Sequence, residues 1–325
     1  MSGERPTLRH VALAASVSVS AASLALRGEP GISEQTRARV QRAAEQLGYR
    51  VNTAARGLRE ETVKSVAILV DHHQHRYTSG PDISLFQPLF LSSLIGTLQA
   101  GSVRVTLLPS DTGLRQCEED FDALFALALP GDLEQLSVLS RQVPVLVGAT
   151  GGRVAGLHCA DIDWPAAIDA VLDHLFDNGA QQPGILMVSR YPLLQKALTD
   201  IYQQWCRNHD QPDRIAVIAG PDEIPAGLHR LLRSGCDGVF AVPGYPVAFL
   251  NAVHDAALSI PGDLLFAAQA EGIREQLLRP SITTLSLEAD ANGHLVGEEL
   301  LRAITEGARD VSCHYLLTPR ASTRP

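Results

Sequence analysis

Apolar positions near the start of the chain recur at helical spacing. Leu8, Val11, Ala12 and Ala15 fall on one face of a short helix. Val17 fills the junction that follows, and Ser18 offers its side-chain oxygen as the N-cap of a second helix. The first turn of that second helix is left exposed. A third helix opens at Ser33, carries Val40, Ala43, Ala44 and Leu47 along one face, and closes at Gly48, where a left-handed residue is needed. Three small helices sharing one miniature core around a tight turn have the layout of a helix-turn-helix.

Beyond a charged link at residues 60–64 the pattern changes. Ser65 to Val70 is a short continuous apolar run, as expected of a parallel strand buried on both faces. A helical pattern over 86–98, strand-like runs over 103–108 and 143–147, and an apolar segment at 123–129 follow. The alternation resumes with a helix over 166–176, strands over 184–188 and 215–218, a helix over 226–233, and strands over 238–242 and 264–268. A last strand over 282–287 and a helix over 292–305 complete it. Strands alternating with helices predict doubly wound parallel sheets, and two such sheets in succession predict two lobes. The expected organisation is an all-α helix-turn-helix headpiece over 1–60, with a hinge helix at about 52–59, and a two-lobed α/β domain over 61–325.

Charge sharpens this division. Residues 1–60 hold nine Arg and no Lys against five Glu, while the remainder carries 18 basic and 31 acidic residues. A basic end approaches phosphates and an acidic body is repelled by them, so binding to a polyanion would be oriented and salt-sensitive. The five cysteines, Cys117, Cys159, Cys206, Cys236 and Cys313, are odd in number and form no CxxC pair, which argues against a disulfide framework or a zinc site. No apolar stretch has the form of a signal peptide or a bilayer span, so a reducing cytoplasmic setting and no membrane association are expected.

The chain resembles the lactose-repressor/galactose-repressor (LacI/GalR) family of bacterial transcription regulators. The resemblance is carried by Val17-Ser18, Ser23, Arg27-Gly28, Ile32-Ser33, Thr36-Arg37, Leu47-Gly48-Tyr49 and the run from Asn52 to Arg59. It implies a periplasmic-binding-protein-like core of two α/β lobes around an effector cleft. It also implies a homodimer, or a higher assembly of dimers, on a palindromic double-stranded DNA operator.

By the same resemblance, the second helix starts in the major groove with Val19, Ser20 and Ala21, and with Ser23 further along. Those side chains are small, so specificity leans on methyl contacts and on other elements. Leu24 stands where the family often has Arg, and Ser16 where the turn commonly has Gly. Thr7, Arg27, Thr36, Tyr49 and Asn52 donate to phosphates, which fix register without reading sequence. Leu8 and Ser18 complete the headpiece surface expected against DNA. Arg37, Arg39 and Arg42 are read as a solvated face. The segment 52–59 is too short to be a stable helix alone and is expected to fold on DNA. There Ala55 allows close approach, Arg56 follows the minor groove, and Leu58 wedges into the central base step.

The cleft reads differently from that of sugar-binding relatives. Leu198, Pro243-Gly244 and Gln269 stand where those relatives carry an Arg, an Asn-Asp pair and an Asp, so a common sugar is not the expected effector. Candidate effector contacts at strand carboxyl ends are His75, Tyr77, Asp163, Trp164, Arg190, Tyr191 and Gln269. His72, His73 and His75 lack metal-ligand spacing, and Gly148 to Gly152 is not a dinucleotide fingerprint. No catalytic constellation, metal or cofactor is expected. The chain therefore reads as a sequence-specific transcriptional repressor under small-molecule control; the alternative is a small-molecule binding protein or degenerate enzyme on the same two-lobed fold.

Overall fold

The computed structural model describes residues 8–18, 21–22, 24–25, 33–47, 64–70, 84–109, 121–127, 133–189 and 191–324. The chain divides into two compact units, Met1–Val63 and Lys64–Pro325.

In the first unit, α1 (Leu8–Ala14) ends in a tight turn. The Val17 amide donates to the Ala12 carbonyl at 3.0 Å and the Ser16 amide to Leu13 at 3.1 Å. Ser16 takes the left-handed conformation, with φ of 50°, at the position where helices most often end on Gly. Ser18 then caps the next helical turn: its Oγ accepts from the Ala21 amide at 3.1 Å, and Ala21, Ala22, Leu24 and Ala25 are helical. α2 (Glu34–Leu47) is capped in the same way by Ser33, whose Oγ accepts from the Thr36 amide at 3.3 Å. Val11, Ala12, Ala15, Ala22, Ala25, Val40, Ala43 and Ala44 form one buried cluster, with Val17 packed against it. So many alanines let short helices approach closely, which suits a unit with little apolar volume to bury.

The second unit contains two six-stranded sheets among the described residues. The first is built from β1 (Ser65–Val70), β2 (Arg104–Pro109), β3 (Ala123–Leu127), β4 (Val145–Gly148), β5 (His158–Asp161) and β11 (Val311–Ser312), in the order β11-β5-β4-β3-β1-β2 and parallel throughout. β1 and β3 are buried at every position, as expected for strands covered on both faces. α3 (Phe86–Ala100) covers one face and α4 (Leu133–Leu139) the other.

The second sheet comprises β6 (Pro183–Val188), β7 (Ile215–Ile218), β8 (Gly238–Val242), β9 (Leu265–Gln269), β10 (Thr283–Ser286) and β12 (Leu316–Thr318), in the order β12-β10-β9-β8-β6-β7. Only β12 runs antiparallel. α5 (Trp164–Asp177) and α6 (Pro192–Asn208) pack on one face, α7 (Ile224–Arg233) and α8 (Pro246–Asp255) on the other. The second lobe is tied from within by Tyr202, whose buried hydroxyl donates to the Pro183 carbonyl at 2.9 Å and accepts the Arg214 amide at 3.0 Å.

The chain crosses between lobes three times. β5 leads into α5, β10 leads back to α9 (Ala289–Glu306) on the first lobe, and β11 leads to β12. α9 lies against α3 with almost no gap: a Cβ at Gly293 would sit 2.4 Å from the Phe90 carbonyl oxygen. The tail is locked into the second lobe by Ser322, whose Oγ accepts the Thr283 amide at 2.8 Å and donates to the Phe266 carbonyl at 2.6 Å.

Several elements depart from the sequence pattern. α4, α6, α8 and β5 are not marked by periodicity, and the apolar segment at 123–129 contributes a strand only over Ala123–Leu127. α6 buries only Leu198, Tyr202, Trp205 and Cys206 along its 17 residues. A single narrow stripe on an otherwise polar helix gives a weak apolar signal.

Candidate functional site

In the first unit the described residues include the helical turn that follows Ser18. Ala21 follows directly on the Ser18 cap and is half-buried. Thr36 is half-buried in the first turn of α2, its Oγ1 accepting from Ser33 Oγ at 2.9 Å. Leu8 opens α1. Arg39 and Arg42 are exposed on α2, with Arg42 Nε donating to the Ala38 carbonyl at 3.2 Å. Thr7, Val19, Ser20, Ser23, Arg27, Tyr49, Asn52, Ala55, Arg56 and Leu58 lie outside the described residues.

Within the second unit, a cavity of about 150 Å³ opens between the two lobes. The first lobe supplies Phe86, Phe90 and Phe125, whose rings form a continuous wall with centroids 5.5 and 5.6 Å apart. The second lobe supplies Trp164, Tyr191, Tyr245 and Gln269, and the crossings supply Asn292 and Cys313. Parallel topology produces this placement: the cleft lies at the carboxyl ends of the strands, where the connections diverge.

Asp161, at the end of β5, is the polar centre of the site. Its Oδ2 accepts from the Thr150 and Gly151 amides, both at 2.9 Å, and from Thr150 Oγ1 at 3.2 Å. Its Oδ1 accepts from the Ile162 amide at 3.0 Å and from Trp164 Nε1 at 2.7 Å. Its backbone carbonyl receives the Cys313 amide at 2.9 Å. One residue thus holds the glycine-rich loop, the first crossing and the third. Burial pushes its carboxyl above the ordinary range, against the pull of the donated hydrogen bonds. Burial also pushes the Cys313 thiol up to about 12, with the Asp161 charge adding to the effect. Glu271 plays a parallel part at the second crossing, accepting from Ser286 Oγ at 3.1 Å, the Leu287 amide at 3.2 Å and the Ala289 amide at 3.0 Å.

Of the cleft residues expected from sequence, Trp164, Tyr191 and Gln269 line the cavity. Asp163 does not: its Oδ1 caps α5 by accepting the Ala166 amide at 3.1 Å, and it is absent from the cavity wall. His75, Tyr77 and Arg190 lie outside the described residues. Pro243 lines the cavity, whereas Leu198 is buried in the second lobe's core. Sequence reasoning misses Asp161 and the three phenylalanines. The one signal for Asp161 is its place where an apolar strand ends, two residues before a helix cap.

Comparison with known proteins gives this architecture a family. The profile for "Bacterial regulatory proteins, lacI family" matches residues 7–52, and that for "Periplasmic binding protein-like domain" matches residues 172–324. The chain belongs to the lacI family of bacterial regulatory proteins. This lacI-family protein is 21% identical over 294 residues, 86% of each chain, to catabolite control protein A of Staphylococcus xylosus. It is 26% identical over 297 residues to that of Staphylococcus aureus strain MRSA252, again over 86% of each chain. Its fold matches a lacI-family transcriptional regulator from Silicibacter pomeroyi with a TM-score of 0.70 at 17% identity, over 98% of this chain and all of the other. It also matches the lac repressor dimer bound to operator and an anti-inducer, with a TM-score of 0.67 at 16% identity, over 99% of this chain and all of the other. The lacI-family chain is a DNA-binding transcriptional regulator with an effector-type core. Among the described residues, no helix is long and apolar enough to cross a membrane, and no cluster of three His, Cys, Asp or Glu residues could hold a metal ion.

Proposed function

We propose that this regulator represses transcription from the cytoplasm by binding a pseudo-palindromic operator as a homodimer, without catalysing a reaction. The single observation behind this reading is that one chain joins a Ser18-capped recognition turn to a core whose cavity is walled by both lobes. A ligand touching both walls has different affinities for open and closed arrangements, and that difference is what allows it to shift operator binding. Ser20, Ala21 and Ser23 would read the major groove, Thr7, Arg27, Thr36, Tyr49 and Asn52 would hold phosphates, and Leu58 from each hinge would wedge the minor groove.

Footprinting on duplexes selected from a random pool tests the proposal. The expected result is two half-sites on one face of the duplex, with affinity falling steeply as salt rises. Protection of one isolated, asymmetric half-site would overturn the dimeric reading.

The effector, on this reading, is not a common sugar. Sugar hydroxyls need a dense set of free hydrogen-bond partners in a buried site, whereas Asp161, Asn292 and the Trp164 indole are already engaged within the protein. Millimolar glucose or galactose that both stabilised the core and released operator would sink this claim.

A further inference from the structure

We propose that the interlobe cavity takes a small, uncharged, flat aromatic molecule, one ring with a single polar substituent that pairs with the carboxamide of Gln269. The proposal rests on the reading of the cleft as the effector site and names the chemistry it would recognise.

Size sets the first bound. A cavity of about 150 Å³ has the volume of one that accepts a benzene-sized guest, so the space suits roughly six to ten non-hydrogen atoms. The walls set the second. The stacked and tilted rings of Phe86, Phe90 and Phe125 face the cavity from one lobe, and Trp164, Tyr191 and Tyr245 from the other. Aromatic pairs favour offset or edge-to-face contact, and a flat ring between the two walls would meet both lobes at once.

The polar groups decide the rest. Asn292 Nδ2 donates to the Leu287 carbonyl at 2.6 Å and the His314 carbonyl at 2.8 Å, and its Oδ1 accepts the His314 amide at 2.8 Å. Both oxygens of Asp161 are taken by donors from the protein, including the Trp164 indole. Gln269 is different. It is only 7% exposed and lines the cavity, and its carboxamide hydrogen-bonds to none of the described residues. Its backbone explains why the side chain stays there: the Gln269 carbonyl accepts the Gly244 amide at 2.8 Å, and a Cβ on Gly244 would lie 2.9 Å from that oxygen. The carboxamide opens onto the cavity, where a ligand can supply it with a donor and an acceptor.

Charge among the described residues sets a further bound. No Lys, Arg or His is present among the described lining residues, and Asp161 places a carboxylate there, so an anionic ligand finds no cationic partner among them. A cationic ligand would gain attraction from Asp161 but would find both its oxygens committed, and would lose its hydration in an apolar space.

Calorimetric titration and thermal shift of the full-length protein with benzamide, benzoate, benzylammonium, cyclohexanecarboxamide, toluene and glucose test this. Benzamide is expected to bind at millimolar concentration or better and to raise the melting temperature. Cyclohexanecarboxamide should bind more weakly, and benzoate, benzylammonium and glucose should have no effect. Gln269→Leu should weaken benzamide by roughly three- to tenfold while toluene binding is kept, which shows that the cavity is still formed. Failure of every probe, preference for benzoate, benzylammonium or glucose, or an unchanged benzamide affinity in Gln269→Leu would overturn the proposal. Operator release read in parallel separates the two readings. Benzamide that binds through Gln269 without altering DNA affinity would refute the effector role and leave the ligand class standing. A charged or sugar ligand that releases DNA would do the reverse.

Discussion

Removing the Asp161 carboxylate should loosen the second unit more than any other single change in the cleft. Asp161→Ala leaves the Thr150, Gly151 and Ile162 amides and the Trp164 indole without their acceptor. Each unsatisfied buried donor costs ~1–3 kcal/mol, so the four together would set a ceiling of ~12 kcal/mol. Water entering from the cavity will satisfy some of them, so a loss of ~3–5 kcal/mol is expected. Asp161→Asn keeps one acceptor oxygen and turns an NH₂ toward the other donors, for an expected loss of ~2–3 kcal/mol. Urea unfolding followed by tryptophan fluorescence reads this directly, because both tryptophans, Trp164 and Trp205, lie in this unit. The pH dependence supplies a second readout. Burial holds the Asp161 carboxyl above its ordinary value of 3.8, so the folded state binds that proton more tightly than the unfolded chain. Its contribution is therefore most favourable below 3.8 and declines as pH climbs through the raised folded value. Asp161→Asn should remove that decline. An Asp161→Ala protein within ~1 kcal/mol of the parent, or an Asp161→Asn protein with the parent's pH slope, would refute the assignment of Asp161 as the knot of the crossings.

Three further outcomes are expected. Gly151 has φ of 78°, and a Cβ there would lie 2.4 Å from the Ala197 Cβ across the cleft, so Gly151→Ala should cost ~1–3 kcal/mol in urea unfolding; Gly152→Ala, where no atom lies within 4 Å, should cost only its backbone strain, and equal losses would argue against close approach of the lobes. In the headpiece, Ser16→Gly should relieve the left-handed strain and slow amide exchange of Val17 in the full-length protein, while Ser18→Ala should speed exchange of Ala21 by the loss of a cap of ~1 kcal/mol; the opposite order would contradict the turn geometry. Leu58→Ala should bind operator with a smaller bend, measured by the mobility of circularly permuted fragments, and an unchanged bend would remove the wedge role.

The sequence alone determined the features that depend on neighbours a few positions apart. Ser18 and Ser33 read as caps because a helix N-terminus needs a side-chain acceptor within three residues, and both bonds are present. Val11, Ala12, Ala15, Val40, Ala43 and Ala44 read as one face by period and are buried together. Alternating apolar runs specified the parallel strands of both sheets, because strands covered on both faces must be continuously apolar, but not the antiparallel β12 at the edge of the second. Tertiary structure alone decided the cleft. Two aspartates stand in Asp161-Ile162-Asp163, and only the turn out of β5 aims the first at the glycine-rich loop while the second caps α5. Phe86, Phe90 and Phe125 come from a helix and a strand and look like ordinary core residues until the opposing lobe leaves a space against them. Leu198, matched by resemblance to a cleft position, turns into the second lobe's core because it lies on the single buried stripe of α6. A cavity between lobes is formed by residues far apart in the chain, and their spacing carries no periodicity from which it could be read.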